Sequence, residues 1–156
     1  MALSPRVSVV MPLFNKEKEV ARALDSALAQ DMPDFELIVV DDGSTDSGPE
    51  IARGYSDPRI RIVSQANAGV SAARNRGIEL ARAGLIAFLD ADDEWNPEFL
   101  AAILDLASKF PEYSVFATSY FIANSKTGIR PAVLRGLPPD FQEGELQKYF
   151  EVASQS

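Results

Sequence analysis

The chain predicts a doubly wound, mostly parallel α/β sheet, and two observations carry that expectation. Short apolar runs alternate with stretches of helical periodicity over roughly the first two thirds of the 156 residues. Two of those runs, Leu37-Ile38-Val39-Val40 and Leu85-Ile86-Ala87-Phe88-Leu89, lead straight into acids, Asp41-Asp42-Gly43-Ser44 and Asp90-Ala91-Asp92-Asp93. Runs this short, stopped by acids and glycine, read as buried parallel strands, whose carboxyl ends form the ligand crevice of an open α/β sheet.

Taken in order, residues 7–11 read as a first strand broken at Pro12. Residues 16–30 follow as a helix, with Val20, Leu24, Ala27 and Leu28 at a spacing that puts them on one face. The second strand covers residues 37–40. Ser44, Thr45 and Asp46 offer caps, and Pro49 suits the first turn of a short helix through Ile51, Ala52 and Tyr55. Asp57-Pro58 turns the chain into a third strand at 60–63. A helix opens at Gly69-Val70-Ser71, with Val70, Ala73, Ile78 and Ala81 expected on or near its buried side, and the fourth strand is 85–89. Asn96 as cap, Pro97 in the first position and Glu98 in the first turn start another helix, which ends near Phe110-Pro111. Beyond Tyr113 the alternation stops. Residues 115–122 and 129–134 read as two strands of a hairpin around Asn124-Ser125-Lys126-Thr127-Gly128, and residues 144–153 as a last helix with Leu146, Tyr149, Phe150 and Ala153 on one side.

Composition narrows the function. The chain is 46% hydrophobic, enough for one substantial core, and its length suggests a single domain. Fifteen Lys and Arg against 23 Asp and Glu leave a net charge of −8, the wrong sign for tracking a nucleic-acid backbone. An anionic ligand would need local cations, helix N-termini or a metal to offset that field. With no cysteine and no histidine, thiolate chemistry, Ser-His-Asp catalysis, His-ligated zinc and His general bases are all excluded. What remains is carboxylates and metals with oxygen ligands. The N-terminal residues lack a signal-peptide pattern and no apolar run approaches the roughly 20 residues of a membrane helix, so a cytoplasmic location is expected, membrane-peripheral in a larger context.

Carboxylates crowded at two strand ends repel one another unless a cation sits among them, and Mg²⁺ or Mn²⁺ suits such sites because it keeps positions open for substrate phosphates. Asp90-Ala91-Asp92 has the alternate spacing that lets two carboxylates point into one crevice from an extended backbone. The competing reading is that strand-end Asp and Gly are ordinary turns and caps. The helix at Gly69-Val70-Ser71 could present free N–H groups to an anion, with Arg74 and Arg76 adding charge nearby, or it is a capped helix with a solvated basic face. Phe14 and Trp95 lie beside these motifs and could stack on a ring or belong to the core.

Four ordered segments carry a resemblance: Val7-Ser8-Val9-Val10-Met11-Pro12-Leu13-Phe14-Asn15, Val39-Val40-Asp41-Asp42-Gly43-Ser44-Thr45-Asp46, Asn67-Ala68-Gly69-Val70-Ser71-Ala72-Ala73-Arg74-Asn75-Arg76-Gly77, and Phe88-Leu89-Asp90-Ala91-Asp92-Asp93. Together they resemble the N-terminal part of family 2 glycosyltransferases with the GT-A fold, clearly over residues 7–110 and weakly over 113–156. The resemblance implies one donor-binding domain across the chain, a nucleotide-diphospho-sugar donor, usually a UDP-sugar, an Mg²⁺ or Mn²⁺ ion, and transfer with inversion to a saccharide or lipid-linked acceptor. It further implies that Pro12, Phe14, Asn15 and Glu17 line the nucleoside pocket, that Asp42 contacts the base, and that Arg74 lies near base or diphosphate. Asp90 and Asp92 become the pair that binds ribose and metal, with Asp92 the direct metal ligand.

The chain departs from the family where the acceptor half and catalytic base should follow. No late acidic motif matches, and Asp140, Glu143 and Glu145 read as a solvated helix start. The expectation is therefore a donor-binding part truncated before the acceptor half, with the apolar side of the last helix meeting that half or a second copy of the chain. Three alternatives compete. A noncatalytic nucleotide-sugar-binding module has the same motifs. A two-component receiver domain would use Asp41, Asp42 and Asp90, and a phosphatase would use Asp90 as nucleophile with Asp92 as acid/base, although such a motif usually sits on the first strand.

Overall fold

The computed structural model describes residues 4–118, 121–124 and 128–131. The chain divides into two compact units, 1–111 and 112–156. The first contains β1 (Val7–Leu13), α1 (Val20–Leu28), β2 (Phe35–Asp41), α2 (Gly48–Arg53), β3 (Ile60–Ser64), α3 (Val70–Leu80), β4 (Leu85–Phe88) and α4 (Phe99–Lys109). Its strands form one parallel sheet in the order β3-β2-β1-β4.

Every residue of β1 and β2 is buried, as central strands covered on both faces must be, whereas β3 and β4 at the edges are only half-buried. Odd-numbered β1 residues Val7, Val9, Met11 and Leu13 pack with α1, through Val20, Ala23, Leu24 and Ala27, and with Ala52 of α2 and Leu100 of α4. On the opposite face Ile38 and Val40 pack against Ala73 of α3. Helices on both faces of a parallel sheet make the unit doubly wound, as the alternation predicts.

Several expectations change. β1 runs through Pro12 instead of breaking there. Val10 accepts a bond from Leu89 on the β4 side, and alternate residues face the same neighbour, so the missing Pro12 N–H points past the end of β4, where no ladder bond is lost. α1 begins at Val20 rather than residue 16. Residues 16–19 form a turn in which Lys16 O accepts from Glu19 N and Val20 N. α4 starts at Phe99, with Asn96-Pro97-Glu98 making the turn before it. The expected buried side of α3 is wrong for Val70 and Ile78, which are exposed. The helix lies on the sheet through Ala73 and Gly77 instead. A Cβ on Gly77 would stand 2.2 Å from Val10 Cγ1, so only glycine permits this approach.

The strand order also decides between the fold-level alternatives. A receiver domain needs the flavodoxin-like order 2-1-3-4-5, whereas here β4 lies beside β1 on the side away from β2 and β3. The receiver reading is therefore discarded. Strand order reverses between β1 and β4, and such a switch point is where open α/β sheets bind ligands.

In the second unit β5 (Phe121–Asn124) and β6 (Gly128–Pro131) pair antiparallel, Phe121 opposite Pro131 and Asn124 opposite Gly128. β5 runs on to Asn124, which the expected turn included, while residues 115–118 lie outside any strand and Val115 is exposed. Residues 125–127 of the expected turn, the far end of the expected second strand, the carboxylates Asp140, Glu143 and Glu145, and the helix expected at 144–153 lie outside the described residues.

Candidate donor-binding site

A cavity of about 180 Å³ opens at the switch point, lined by Pro12, Leu13, Phe14 and Lys16 after β1, Asp42 after β2, Val70 and Ala73 of α3, and Asp90, Ala91 and Asp92 after β4. Five of the eight residues singled out from the sequence, Pro12, Phe14, Asp42, Asp90 and Asp92, thus share one wall-to-wall space. Arg74 reaches the same place through Asp90. Asn15 and Glu17 do not line the cavity. Their side chains hold the neighbouring loop, Asn15 Oδ1 accepting from Thr45 N at 2.8 Å and Glu17 Oε2 from Ser47 N at 3.3 Å. Asn15 has φ 52°, a left-handed conformation that asparagine tolerates better than most residues.

The two acids ending β2 are built into backbone. Asp41 Oδ1 accepts from Ser44 N at 2.9 Å and closes the turn around Gly43, whose φ is 74° and whose Cβ position would meet Asn67 N at 2.8 Å. Asp42 is 3% exposed and accepts from Gln65 Nε2 (2.7 Å), Ala68 N (2.9 Å) and Gly69 N (2.8 Å). Burial works to raise its pKa, but these three donors outweigh it and hold the carboxyl below the ordinary range. The N–H groups leading into α3, expected to face an incoming anion, are thus partly engaged by Asp42 itself. A carboxylate has about four acceptor positions, so one remains for the cavity.

The acids after β4 are held differently. Arg74 Nη2 donates to both oxygens of Asp90, at 2.7 and 3.0 Å, while its guanidinium lies over Phe88. The Arg74 Nε atom is buried without a hydrogen-bond partner among the described residues. Lys16 Nζ donates to Asp92 Oδ2 at 2.5 Å, and that bond is the main reason the Asp92 carboxyl is held below, and the Lys16 ammonium above, their usual values. Arg22 Nη2 donates to Asp92 O at 2.8 Å and Arg22 Nε pairs with Glu94, pinning the 92–94 loop to α1. Next door, burial and then the charges of Asp92 and Asp90 push Asp93 upward.

Lys16 and Arg22 were not singled out from the sequence. Lys16 stands in the run Lys16-Glu17-Lys18-Glu19, which reads as a solvated helix start. The available signal was its position just after β1, on the same sheet edge as Asp92. Of the other candidates, Trp95 stacks on Phe99 at 4.4 Å between ring centroids and packs on the core, while Arg76 pairs with Glu79 on the exposed side of α3. Phe14 is 46% exposed at the cavity rim.

A doubly wound parallel unit with paired acids at its switch point is the arrangement that the resemblance to the GT-A fold implied. The chain matches the family description "Glycosyl transferase family 2" over residues 8–154 and belongs to that family. Among its relatives, an uncharacterized glycosyltransferase, YibD, of Escherichia coli K12 is 41% identical over 104 residues, 65% of this chain and 30% of that protein. GlyA, a glycosyltransferase of Streptococcus pneumoniae, is 33% identical over 133 residues, 83% of this chain and 19% of its own length. Among solved structures, S. aureus TarS 1–349 in complex with UDP-GlcNAc superposes with a TM-score of 0.63 at 30% identity, over 68% of this chain and 32% of TarS. The Pyrobaculum calidifontis mannosyltransferase PcManGT in complex with GDP-Man and Mn²⁺ gives 0.63 at 28% identity, over 68% and 33%. The chain therefore spans a third or less of each of these proteins.

Proposed function

We propose that this chain is the donor-binding domain of a metal-dependent, inverting glycosyltransferase and takes a nucleotide-diphospho-sugar, most simply a UDP-sugar. The observation carrying this reading is the convergence of Pro12, Phe14, Asp42, Asp90 and Asp92 on one cavity at the switch point. The donors bound in TarS and PcManGT support it. At about 180 Å³ the cavity is below the roughly 300–1,000 Å³ that engulfs a drug-sized ligand, so it suits the nucleotide's polar centre while the sugar lies further out. Phe14 offers its exposed ring to the base and Asp42 its remaining acceptor position.

The residues present fit Mg²⁺ or Mn²⁺. Asp90 and Asp92 offer oxygen donors only, 41% and 45% exposed, and no third acid, His or Cys joins them as a closed cage among the described residues. Such ions bind through one or two carboxylates and complete their shell with water and substrate phosphates. Asp92 would hold the ion with Asp90 beside it, and the bound ion would supply charge neutralisation to the leaving diphosphate. Arg74 orients Asp90 and adds a fixed positive charge, which a chain of net charge −8 needs at a diphosphate site.

Transfer also needs a base within hydrogen-bond reach of the acceptor hydroxyl, a contribution of about 10²–10⁴-fold. In this reading the acceptor surface and that base belong to the portion of the relatives that this chain does not span, and its site of action is cytoplasmic. Calorimetry of UDP with the 156-residue chain tests the donor half. Binding should tighten with Mn²⁺ over chelator, and equal affinity in both conditions refutes the metal-bridged reading. Donor hydrolysis measured alongside separates an enzyme part from a noncatalytic binding module.

A further inference from the structure

We propose that Lys16 occupies Asp92 in place of the divalent cation and must be displaced from it when the metal enters. This rests on the metal-bridged reading above and adds to it a residue that tunes metal affinity.

Both acids of the Asp90-Ala91-Asp92 motif already carry a cation, and the two cations differ in how readily they can leave. Arg74 is about as exposed as Lys16, at 36%, but it holds Asp90 through both carboxylate oxygens from within α3, with its Nε buried and its guanidinium over Phe88, so leaving would break two bonds at once. Lys16 holds Asp92 through one oxygen. Its side chain is 39% exposed, it sits in a turn rather than in α1, and an ammonium on a four-carbon stem can swing away without moving backbone. Arg22 ties the backbone around Asp92 to α1 through the Asp92 carbonyl and Glu94 two residues on, so the loop that carries the carboxylate stays at the sheet edge when the ammonium leaves. An exposed Lys–Asp pair contributes little net stability, so a doubly charged ion that also engages a diphosphate can replace the ammonium. Entry therefore runs through Asp92, and Lys16 keeps that carboxylate neutralised until the ion arrives.

The experiment is an Mn²⁺ titration of the full 156-residue chain, without nucleotide, followed by electron paramagnetic resonance of free Mn²⁺. Lys16→Met should bind Mn²⁺ about tenfold more tightly than the unaltered chain, because the competing ammonium is gone. Lys16→Arg should restore weak binding, since it returns a cation to the same carboxylate. Lys16→Met combined with Asp92→Asn should lose the gain. Unchanged Mn²⁺ affinity in Lys16→Met, with binding still abolished by Asp92→Asn, overturns the competition while leaving the metal site standing. Mn²⁺ binding indifferent to Asp92 in every variant overturns both. Circular dichroism melting of each variant shows whether a changed affinity reflects an altered fold.

Discussion

The acids of β2 and the acids after β4 stand at the same sheet edge, yet they are held by opposite means. Asp41 and Asp42 are 6% and 3% exposed and accept mainly from backbone N–H groups, which cannot be exchanged without unfolding a turn or lifting a helix. Asp90 and Asp92 are bound by side-chain cations and stand 41% and 45% exposed. A carboxylate satisfied by backbone is part of the architecture, whereas one satisfied by a mobile side chain can trade that partner for a ligand. Glu36 extends the contrast to the far end of β2. Only 2% exposed, it accepts from Ser8 Oγ at 2.6 Å and from Arg82 N and Nε at 2.7 and 2.8 Å. α3 is thus anchored before its first turn by Asp42, directly after β2, and just past its last by Glu36 within β2.

The largest effect should come from breaking the backbone-held group. Asp42→Ala strands three donors and frees the start of α3, so a loss of about 2–4 kcal/mol in urea unfolding is expected. The pH dependence follows from direction. Asp42 and Glu36 both have lowered folded pKa values, in each case because donated hydrogen bonds overcome burial, so their contribution is complete above the unfolded value of about 4 and is lost as pH falls through the folded ones. The urea midpoint should be level near neutrality and fall below about pH 4, less steeply in Asp42→Ala. A loss under about 0.5 kcal/mol would put Asp42 in the same class as Asp92 and end the comparison.

Next comes Gly77→Ala. With Val10 Cγ1 2.2 Å from the added methyl, α3 must lift or Val10 must turn, at a cost of about 1–3 kcal/mol. Because Asp42 is bonded to the residues leading into the same helix, UDP binding should weaken as well. Urea unfolding and calorimetry on one preparation check both. Stability lost with UDP affinity intact would show the cavity to be independent of α3.

Asp92→Asn should behave in the reverse way. Its partner Lys16 is half-exposed, so unfolding free energy should change by about 1 kcal/mol or less. The Mn²⁺ enhancement of UDP binding should drop by at least about tenfold, read by calorimetry with and without the ion. A large stability loss would mean that the open acids are as structural as the closed ones.

The strand-helix alternation, the parallel sheet and the acids at its edge were legible because burial on both faces leaves apolar runs and turn residues in plain sight. What stayed hidden depends on neighbours far along the chain. Pro12 reads as a strand breaker until the end of β4 beside it is known. α3 presents small residues to the sheet, so Val70 and Ile78, its large apolar residues, drew the assignment to the wrong side. Asn15 and Glu17 are grouped with Phe14 by sequence, but their partners Thr45 and Ser47 turn them toward another loop. Lys16 lies 76 positions from Asp92, and nothing local distinguishes it from Lys18.

The smallest effect expected is that of Asp46→Asn, and it tests the comparison where it is most easily overextended. Asp46 is one more acid at this edge, in the same segment as Asp42, and composition alone would group it with the ligand-facing set. Its oxygens instead accept from Glu17 N at 2.8 Å and Gly48 N at 2.9 Å, joining the loop after β1 to the start of α2. By the rule drawn from β2, backbone partners make it architectural. Asparagine keeps one acceptor oxygen, so about 1 kcal/mol or less of stability should be lost. UDP affinity with Mn²⁺ should stay within about twofold, a margin worth roughly 0.4 kcal/mol. A tenfold loss of UDP affinity without a matching loss of stability would mean that the loop of Asn15 and Glu17 is positioned for the nucleotide through Asp46. Asp46 would then serve the ligand through the loop it holds, and Asp42 would not be the sole backbone-held acid at this edge with a part in donor binding.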